Sequence, residues 1–279
     1  MNYGYVIEVG DVATIGELAH QAEDAGWDGV FVSDVMAAGT SDFPSFPVFD
    51  PWVLLAVMAM RTTRIRIGTM ITPVPRRRPW KLARETMSVD HLSNGRLTLG
   101  VGLGAAEFDG GFCKVGEAMD LKIRAQRLDE GLAILSGLWS GEPYSFSGEH
   151  YHVQEMTMLP PPVQAPRIPV WVPGVWGKQK SMQRALRWDG IIPQKYKSMS
   201  RMTPTEVKAL KKYVDEHRTG KTPFDIVIGG QTSGTNRAQA VKKVRPFEKA
   251  GGTWWLESVM SSSWDAVRER IKHGPPRVE

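Results

Sequence analysis

The chain has 279 residues, a length that fits one α/β barrel of about 250 residues and also permits two smaller domains. Its hydrophobic content of 42% allows a sizeable core, and a net charge of +5, with basic residues spread along the chain, gives no case for a nucleic-acid partner. A single cysteine excludes an internal disulfide framework, and no apolar run reaches membrane-spanning length, so we expect a cytoplasmic protein.

The N-terminal part predicts a strand, a helix and a second strand, followed by a long loop. Residues 3–9 form the first strand, and Thr14 and Glu17 are expected to form the capping box of the first helix. Residues 29–33 read as a buried strand that ends just before Asp34. The loop 37–49 is rich in Gly, Ser, Pro and Phe and is expected to cover a site.

Residues 65–104 form one complete β-α-β unit. The third strand ends just before Pro73, and Pro79 opens a helix that Asn94-Gly95 stops. The fourth strand follows, and Gly102 and Gly104 lie at its end. Both strands are short apolar runs that end in small residues, as in parallel sheets that are covered on both faces. The carboxyl ends of such strands form the rim where ligands bind.

The rest of the chain continues the alternation of strands and helices. Residues 141–167 lack a helical period and predict a hairpin inserted between the fourth helix and the fifth strand. Thr203 and Glu206 open a later helix with a capping box, and Pro246 should kink or break the helix that Asn236 caps. The count of eight strands and eight helices predicts a single α/β domain over residues 1–279, a (β/α)₈ TIM barrel.

The β-α-β unit also carries a resemblance. Residues 64–73, 90–97 and 100–104 resemble the luciferase-like flavin monooxygenase family, which includes enzymes that use the deazaflavin coenzyme F420. Further similar segments occur within 17–34, 128–141 and 162–171, so the resemblance covers roughly residues 14 to 193 in register.

The resemblance implies redox chemistry on a small organic substrate with a loosely held flavin. FMN is the preferred cofactor, and its reduced ring would activate oxygen. The deazaflavin is the alternative cofactor, and it would pass hydride directly to or from the substrate. A homodimer and a separate flavin reductase are also implied. The implied cofactor site has a phosphate loop and a ring support, the latter near a non-prolyl cis peptide. The phosphate loop is Gly174, Val175, Trp176, Gly177 and Lys178, and the ring support is Thr69, Met70, Ile71, Thr72 and Gly102.

Two carboxylates are the catalytic candidates. Glu107 follows the glycines of the fourth strand, and Asp34 lies directly at a strand end, so either could act as an acid or a base. The ordinary alternatives are a solvated loop residue and a turn cap. Many relatives have His where this chain has Val35, which argues against the proton transfer of deazaflavin dehydrogenases. No histidine has metal-ligand spacing, so no metal is expected.

Several alternatives stay open. The loop Gly229 to Gly234 would hold the phosphate in a non-redox barrel enzyme, and a flavin-binding protein without turnover is a third class. Arg76 to Arg78 either meet the acidic tail of a deazaflavin or start an exposed helix. The tryptophans at strand ends either wall a planar ligand or pack in the core. They are Trp171, Trp176, Trp254 and Trp255.

Overall fold

The computed structural model describes residues 1–8, 10–37, 47–198, 200–258 and 263–278. The strands are β1 (Asn2–Ile7), β2 (Gly29–Val32), β3 (Arg66–Pro73), β4 (Leu97–Gly102), β5 (Tyr144–Ser147), β6 (His152–Met156), β7 (Val170–Val175), β8 (Gly190–Gln194), β9 (Asp225–Gly230) and β10 (Trp254–Ser258). The helices are α1 (Val12–Asp24), α2 (Pro51–Arg61), α3 (Pro79–Leu92), α4 (Leu121–Leu138), α5 (Gln179–Leu186), α6 (Pro204–His217), α7 (Arg237–Lys249) and α8 (Trp264–Lys272).

Parallel strands close a barrel in the order β1-β10-β9-β8-β7-β4-β3-β2, and β5 and β6 form a separate antiparallel hairpin. This arrangement confirms the predicted (β/α)₈ barrel with a hairpin between α4 and β7. Among the described residues, none of the helices has the length and apolar content that a membrane span requires.

Helix caps explain where most helices begin and end. Asp50 caps α2, and Thr203 and Glu206 form the predicted capping box of α6. Asn94 and Gly95 adopt positive φ after α3, as expected for its stop.

The predicted cap of α1 is wrong. The helix begins at Val12, and the carboxylate of Asp11, rather than a box of Thr14 and Glu17, accepts the Thr14 amide at 2.8 Å. An aspartate one turn earlier satisfies the same donor, so the helix starts there.

The predicted break of α7 at Pro246 is also wrong, because the helix is continuous to Lys249. Proline removes one donor, the partner of the Lys242 carbonyl. Both residues are exposed, so water can accept that carbonyl's lost bond. Strand β7 extends three residues beyond its predicted end at residue 172, and β9 and β10 extend two residues beyond theirs at residues 228 and 256. Gly174, Val175, Gly229 and Gly230 therefore lie within strands.

Aromatic side chains fill the barrel interior beneath the rim. The ring centroids of Phe31 and Trp171 lie 5.2 Å apart, as do those of Trp171 and Trp254. Gly29 makes room for them, because a Cβ there would come within 2.9 Å of the Phe31 and Trp254 rings. Trp171 and Trp254 are therefore core residues, and Trp255 packs on Phe247 of the helix layer.

One buried carboxylate ties α1 to the start of β3. Glu23 accepts the backbone amides of Thr63, Arg64 and Ile65 at 3.0, 2.7 and 2.7 Å. Burial alone would raise the pKa of the Glu23 carboxyl, but these hydrogen bonds outweigh it and hold the pKa below its ordinary value. The charged form of Glu23 therefore stabilises the fold.

We predict that Glu23→Gln lowers the free energy of unfolding by about 2 kcal/mol at neutral pH, because hydrogen bonds to a charged acceptor are lost. The folded pKa is depressed, so the contribution is complete above the ordinary glutamate value of about 4.3 and is lost as pH falls through the folded pKa. Urea unfolding should show the difference from wild type shrinking below that value.

Glu17→Gln is the matched control, because Glu17 is exposed on the same helix. It should change stability by no more than about 0.5 kcal/mol. Equal losses in the two variants, or a loss that does not vary with pH, would contradict the role given to Glu23.

Candidate functional site

A cleft of about 480 Å³ lies at the carboxyl ends of β2, β3, β4, β7 and β8. Its walls are mainly apolar, and helices α4 and α5 close one side. The side chains that matter below are Ser33, Asp34, Val35, Met70, Ile71, Gly102, Phe108, Asp109, Val175, Ser181, Arg184 and Gln194. A larger groove of about 740 Å³ runs along the outer face of α7, but it is formed by helix surface and Arg277 rather than by strand ends.

The ends of β3 and β4 form the floor of the cleft. Their register shifts between Thr69 and Thr72, and the peptide bond between Met70 and Ile71 is cis, as the resemblance implies. Gly102 allows the close approach, because a Cβ at that position would collide with the Ile71 side chain. Met70, Ile71 and Gly102 line the cleft, whereas Thr69 is buried and donates its hydroxyl to the Gly100 carbonyl at 2.8 Å. The buried Thr72 hydroxyl has no partner among the described residues.

A cluster of buried charges lies beside this floor. Arg76 donates to the Asp34 carboxylate at 2.7 Å and to the Asp34 carbonyl at 2.8 Å. Arg77 binds the same carboxylate through two hydrogen bonds, both of 2.8 Å. The Nε of Arg76 also pairs with Asp109 at 3.1 Å. Two cations and two anions thus compensate one another away from water.

This cluster overturns one expectation about the arginines. An exposed helix start is wrong for Arg76 and Arg77, whose side chains are only 3% and 15% exposed, and only Arg78 is exposed. Burial lowers the pKa of the Arg77 guanidinium, but the hydrogen bonds and charge of Asp34 outweigh it and raise that pKa. Arg77 is therefore held as a cation by an internal carboxylate.

Asp109 fastens the loop after β4 to the loop after β2. One of its oxygens accepts the amides of Gly111 at 2.9 Å, Met36 at 3.2 Å and Ala37 at 3.4 Å. The Gly110 amide also donates to the Ala37 carbonyl at 3.1 Å. The same rim loop is supported by Arg124 of α4, which is buried and donates to the Leu103 and Gly104 carbonyls.

Most of the amides in the predicted phosphate loop already donate hydrogen bonds within the protein. Val175 donates to the Ser181 hydroxyl at 3.0 Å, Trp176 to the Gln194 carbonyl at 2.8 Å, and Lys178 to the Val175 carbonyl at 2.9 Å. Among the described residues no side chain caps α5, so its first amides are the donors available at the Ser181 end of the cleft.

Other members of that loop face elsewhere. A Cβ on Gly174 would collide with Ile191, Trp176 packs on Tyr213, and the Lys178 ammonium lies 3.7 Å from the centre of the Tyr196 ring. A Cβ on Gly177 would meet nothing within 4 Å, so the chain is open at that residue.

Glu107 is exposed and does not line the cleft, whereas Asp34 does. Sequence reasoning missed Asp109, Ser181 and Arg184, although Asp109 lies in the rim loop after β4. Arg184 lines the cleft and is paired with Asp129 at 2.7 Å. Of the loop 37–49, which is expected to cover a site, residues 38–46 lie outside the described part of the chain.

The rival phosphate loop after β9 already contains an internal anion. The buried carboxylate of Glu257 accepts the Thr232 amide and, at 2.8 Å, the Thr232 hydroxyl. Arg270 lies 3.4 Å from the same carboxylate and donates to the Thr232 hydroxyl. A bound phosphate there would have to compete with Glu257 for these donors.

Comparison with known proteins identifies the family. Residues 3–277 match the family model described as luciferase-like monooxygenase. An F420-dependent glucose-6-phosphate dehydrogenase of Nakamurella multipartita is 29% identical over 248 residues, 85% of this chain and 71% of that protein. The oxygenase component of a flavin-dependent trigonelline monooxygenase of Acinetobacter baylyi is 31% identical over 156 residues, and there the chain spans only 41% of the relative's length.

Solved structures agree on the fold. An F420-dependent secondary alcohol dehydrogenase superimposes with a TM-score of 0.79 at 16% identity, covering 99% of this chain and 98% of that one. A monooxygenase from Streptomyces bottropensis gives 0.72 at 21% identity, covering 98% and 96%. Together with the barrel and its rim, the match over nearly the whole chain shows that the protein belongs to the luciferase-like monooxygenase family, as its β-α-β motifs indicated.

Proposed function

We propose that this chain is a flavin-dependent monooxygenase of the luciferase-like family that holds reduced FMN in the rim cleft and acts on a small organic substrate. One observation carries the choice. The charged side chains in the described lining of the cleft all have ion partners: Asp34 has Arg76 and Arg77, Asp109 has Arg76, and Arg184 has Asp129. A group locked in this way is a poor proton carrier, so the reactivity is left to the cofactor.

The residues present fit such a cofactor. The cleft extends from Met70, Ile71 and Gly102 to Ser181 in the first turn of α5. The unpaired amides and the positive end of the helix dipole suit a phosphate, and the Ser181 hydroxyl can donate to it. At the other end, Met70, Ile71 and Gly102 line an apolar floor that suits a flat ring.

When bound, reduced FMN would supply the activation of oxygen. The protein's own residues would bind and orient the cofactor: the α5 amides the phosphate, and Met70, Ile71 and Gly102 the ring. The apolar walls would exclude water. Asp34, Asp109 and the two arginines would hold the loops around the ring without exchanging protons.

Hydride transfer with the deazaflavin F420 is the second candidate. It is favoured by the F420-dependent relative that aligns with 85% of this chain at 29% identity. Against it, Val35 offers no proton-transfer group beside Asp34. For the FMN candidate we also propose a separate flavin reductase, since the Acinetobacter relative is an oxygenase component. Homodimeric assembly, a cytoplasmic location and one domain over 1–279 stay predictions. The catalytic roles expected for Glu107 and Asp34 are untested, and this proposal does not use them, because Glu107 does not line the cleft and Asp34 is held by Arg76 and Arg77. The third candidate, a flavin-binding protein without turnover, would bind FMN in the same way but would not oxidise a substrate.

The cofactor assignment predicts that purified protein binds FMN, reduced or oxidised, with a dissociation constant in the micromolar range. Separate titrations with FMN and F420, followed by cofactor fluorescence, test it. Binding of F420 alone would replace the monooxygenase proposal by hydride transfer. If neither binds, the flavin proposal fails and the Gly229 to Gly234 loop becomes the next anion site to test.

The phosphate position predicts that Ser181→Asp weakens FMN binding at least about tenfold, since 1.4 kcal/mol of repulsion is sufficient for that factor. A carboxylate in the first turn suits the helix dipole, so the fold should tolerate it. Ser88→Asp on the exposed face of α3 is the matched control and should bind FMN like wild type. Normal binding by the Ser181 variant would exclude the α5 terminus as the phosphate site.

The charge cluster predicts that Asp109→Asn loosens the rim loop. The amide oxygen can still accept from Met36, Ala37 and Gly111, but the charge that pairs with Arg76 is gone. We expect weaker FMN binding and faster cleavage by trypsin after Lys114, which is exposed in that loop.

Asp24→Asn, on the exposed surface of α1, is the control for general charge effects and should change neither measurement. An Asp109 variant that resists trypsin and binds FMN as wild type does would show that the pair does not shape the rim.

A further inference from the structure

A second, smaller pocket of about 250 Å³ adjoins the rim cleft and shares Asp34 and Val35 with it. Its other walls come from the segment before α2 and from the loop after β3. Apolar side chains form much of its surface, namely Val35, Met36, Val48, Phe49 and Pro51. We call it the side pocket.

The charged groups of the side pocket are already engaged within the protein. Asp34 is bound by Arg76 and Arg77. Asp50 caps α2 by accepting the Trp52 amide at 2.9 Å, and it lies 3.9 Å from Arg77. Two cations face two anions, so the described lining carries no net charge.

This balance selects among substrates by charge. A phosphate or carboxylate entering the pocket would lose its water and find arginines that already serve Asp34, so its desolvation would go uncompensated. An uncharged ligand pays no such cost and gains contact with Val35, Val48 and Phe49. The lining therefore favours neutral, largely apolar molecules over sugar phosphates.

We propose that the side pocket holds the apolar part of an uncharged organic substrate next to a cofactor in the rim cleft. Its position as a substrate site rests on the proposed function. The preference of the pocket for neutral ligands does not, because it follows from Asp34, Asp50, Arg76 and Arg77 alone.

The test measures ligand binding by saturation-transfer NMR with cyclohexanone as the neutral probe and glucose 6-phosphate as the anionic one. Both are titrated into the protein with and without FMN. We expect cyclohexanone to bind at least about tenfold more tightly than glucose 6-phosphate in both forms. No detectable cyclohexanone binding, or tighter binding of the sugar phosphate, would overturn the proposal.

Val48→Asp locates the binding, because Val48 lines the side pocket and not the rim cleft. It should weaken cyclohexanone binding at least about tenfold and leave FMN binding unchanged. Val53→Asp, on a side chain that is 51% exposed on α2, is the matched control and should change neither. Equal effects of the two substitutions would reject the side pocket as the binding site.

Phe49→Ser is the second variant if Val48→Asp does not fold, with the same expected loss of cyclohexanone binding. A protein that binds cyclohexanone in a Val48-dependent way but binds no flavin would reject the proposed function and retain the neutral pocket. Flavin binding without cyclohexanone binding would reject the neutral pocket and retain the proposed flavin site.

Discussion

The pairing of Arg76 with two carboxylates organises the rim of this barrel. Asp34 follows β2, Arg76 follows β3 and Asp109 follows β4, so one guanidinium joins three successive strand ends. Burying these charges is costly, and removing one partner from such a pair typically costs about 3 to 5 kcal/mol. Residues 34, 76 and 109 at these strand ends are therefore held together by buried ion pairs.

The same pairing limits the chemistry of the site. Asp34 has the position of a catalytic carboxylate, yet both of its oxygens accept from arginines. Val35 removes the proton carrier that many relatives have at the next position. A cleft built in this way is better suited to holding a reactive cofactor than to acid-base catalysis. The same ion pairs leave the described lining of the side pocket without net charge. This is the basis for proposing an uncharged substrate there.

Beneath the rim, packing determines where the cleft can lie. Phe31, Trp171 and Trp254 fill the barrel, so a ligand is confined to the space above them. Neither Gly102 nor Gly174 opens that space, because a Cβ on Gly102 would collide with Ile71 and a Cβ on Gly174 would collide with Ile191. The amides of Val175, Trp176 and Lys178 already donate hydrogen bonds within the protein. The phosphate contacts are therefore proposed at the first helical turn of α5 and not in the segment before it.

The sequence by itself determined the alternation of strands and helices, most helix caps and the family, because these follow from local patterns and short motifs. Tertiary structure decided the rest. A run of three arginines looks alike whether exposed or paired, and only the fold brings Asp34 and Asp109 to Arg76. Likewise, the segment at the end of β7 has the composition of an anion-binding loop, but its neighbours in the fold decide which of its amides remain available. Such contacts join residues far apart in the chain, and their partners cannot be inferred from local sequence.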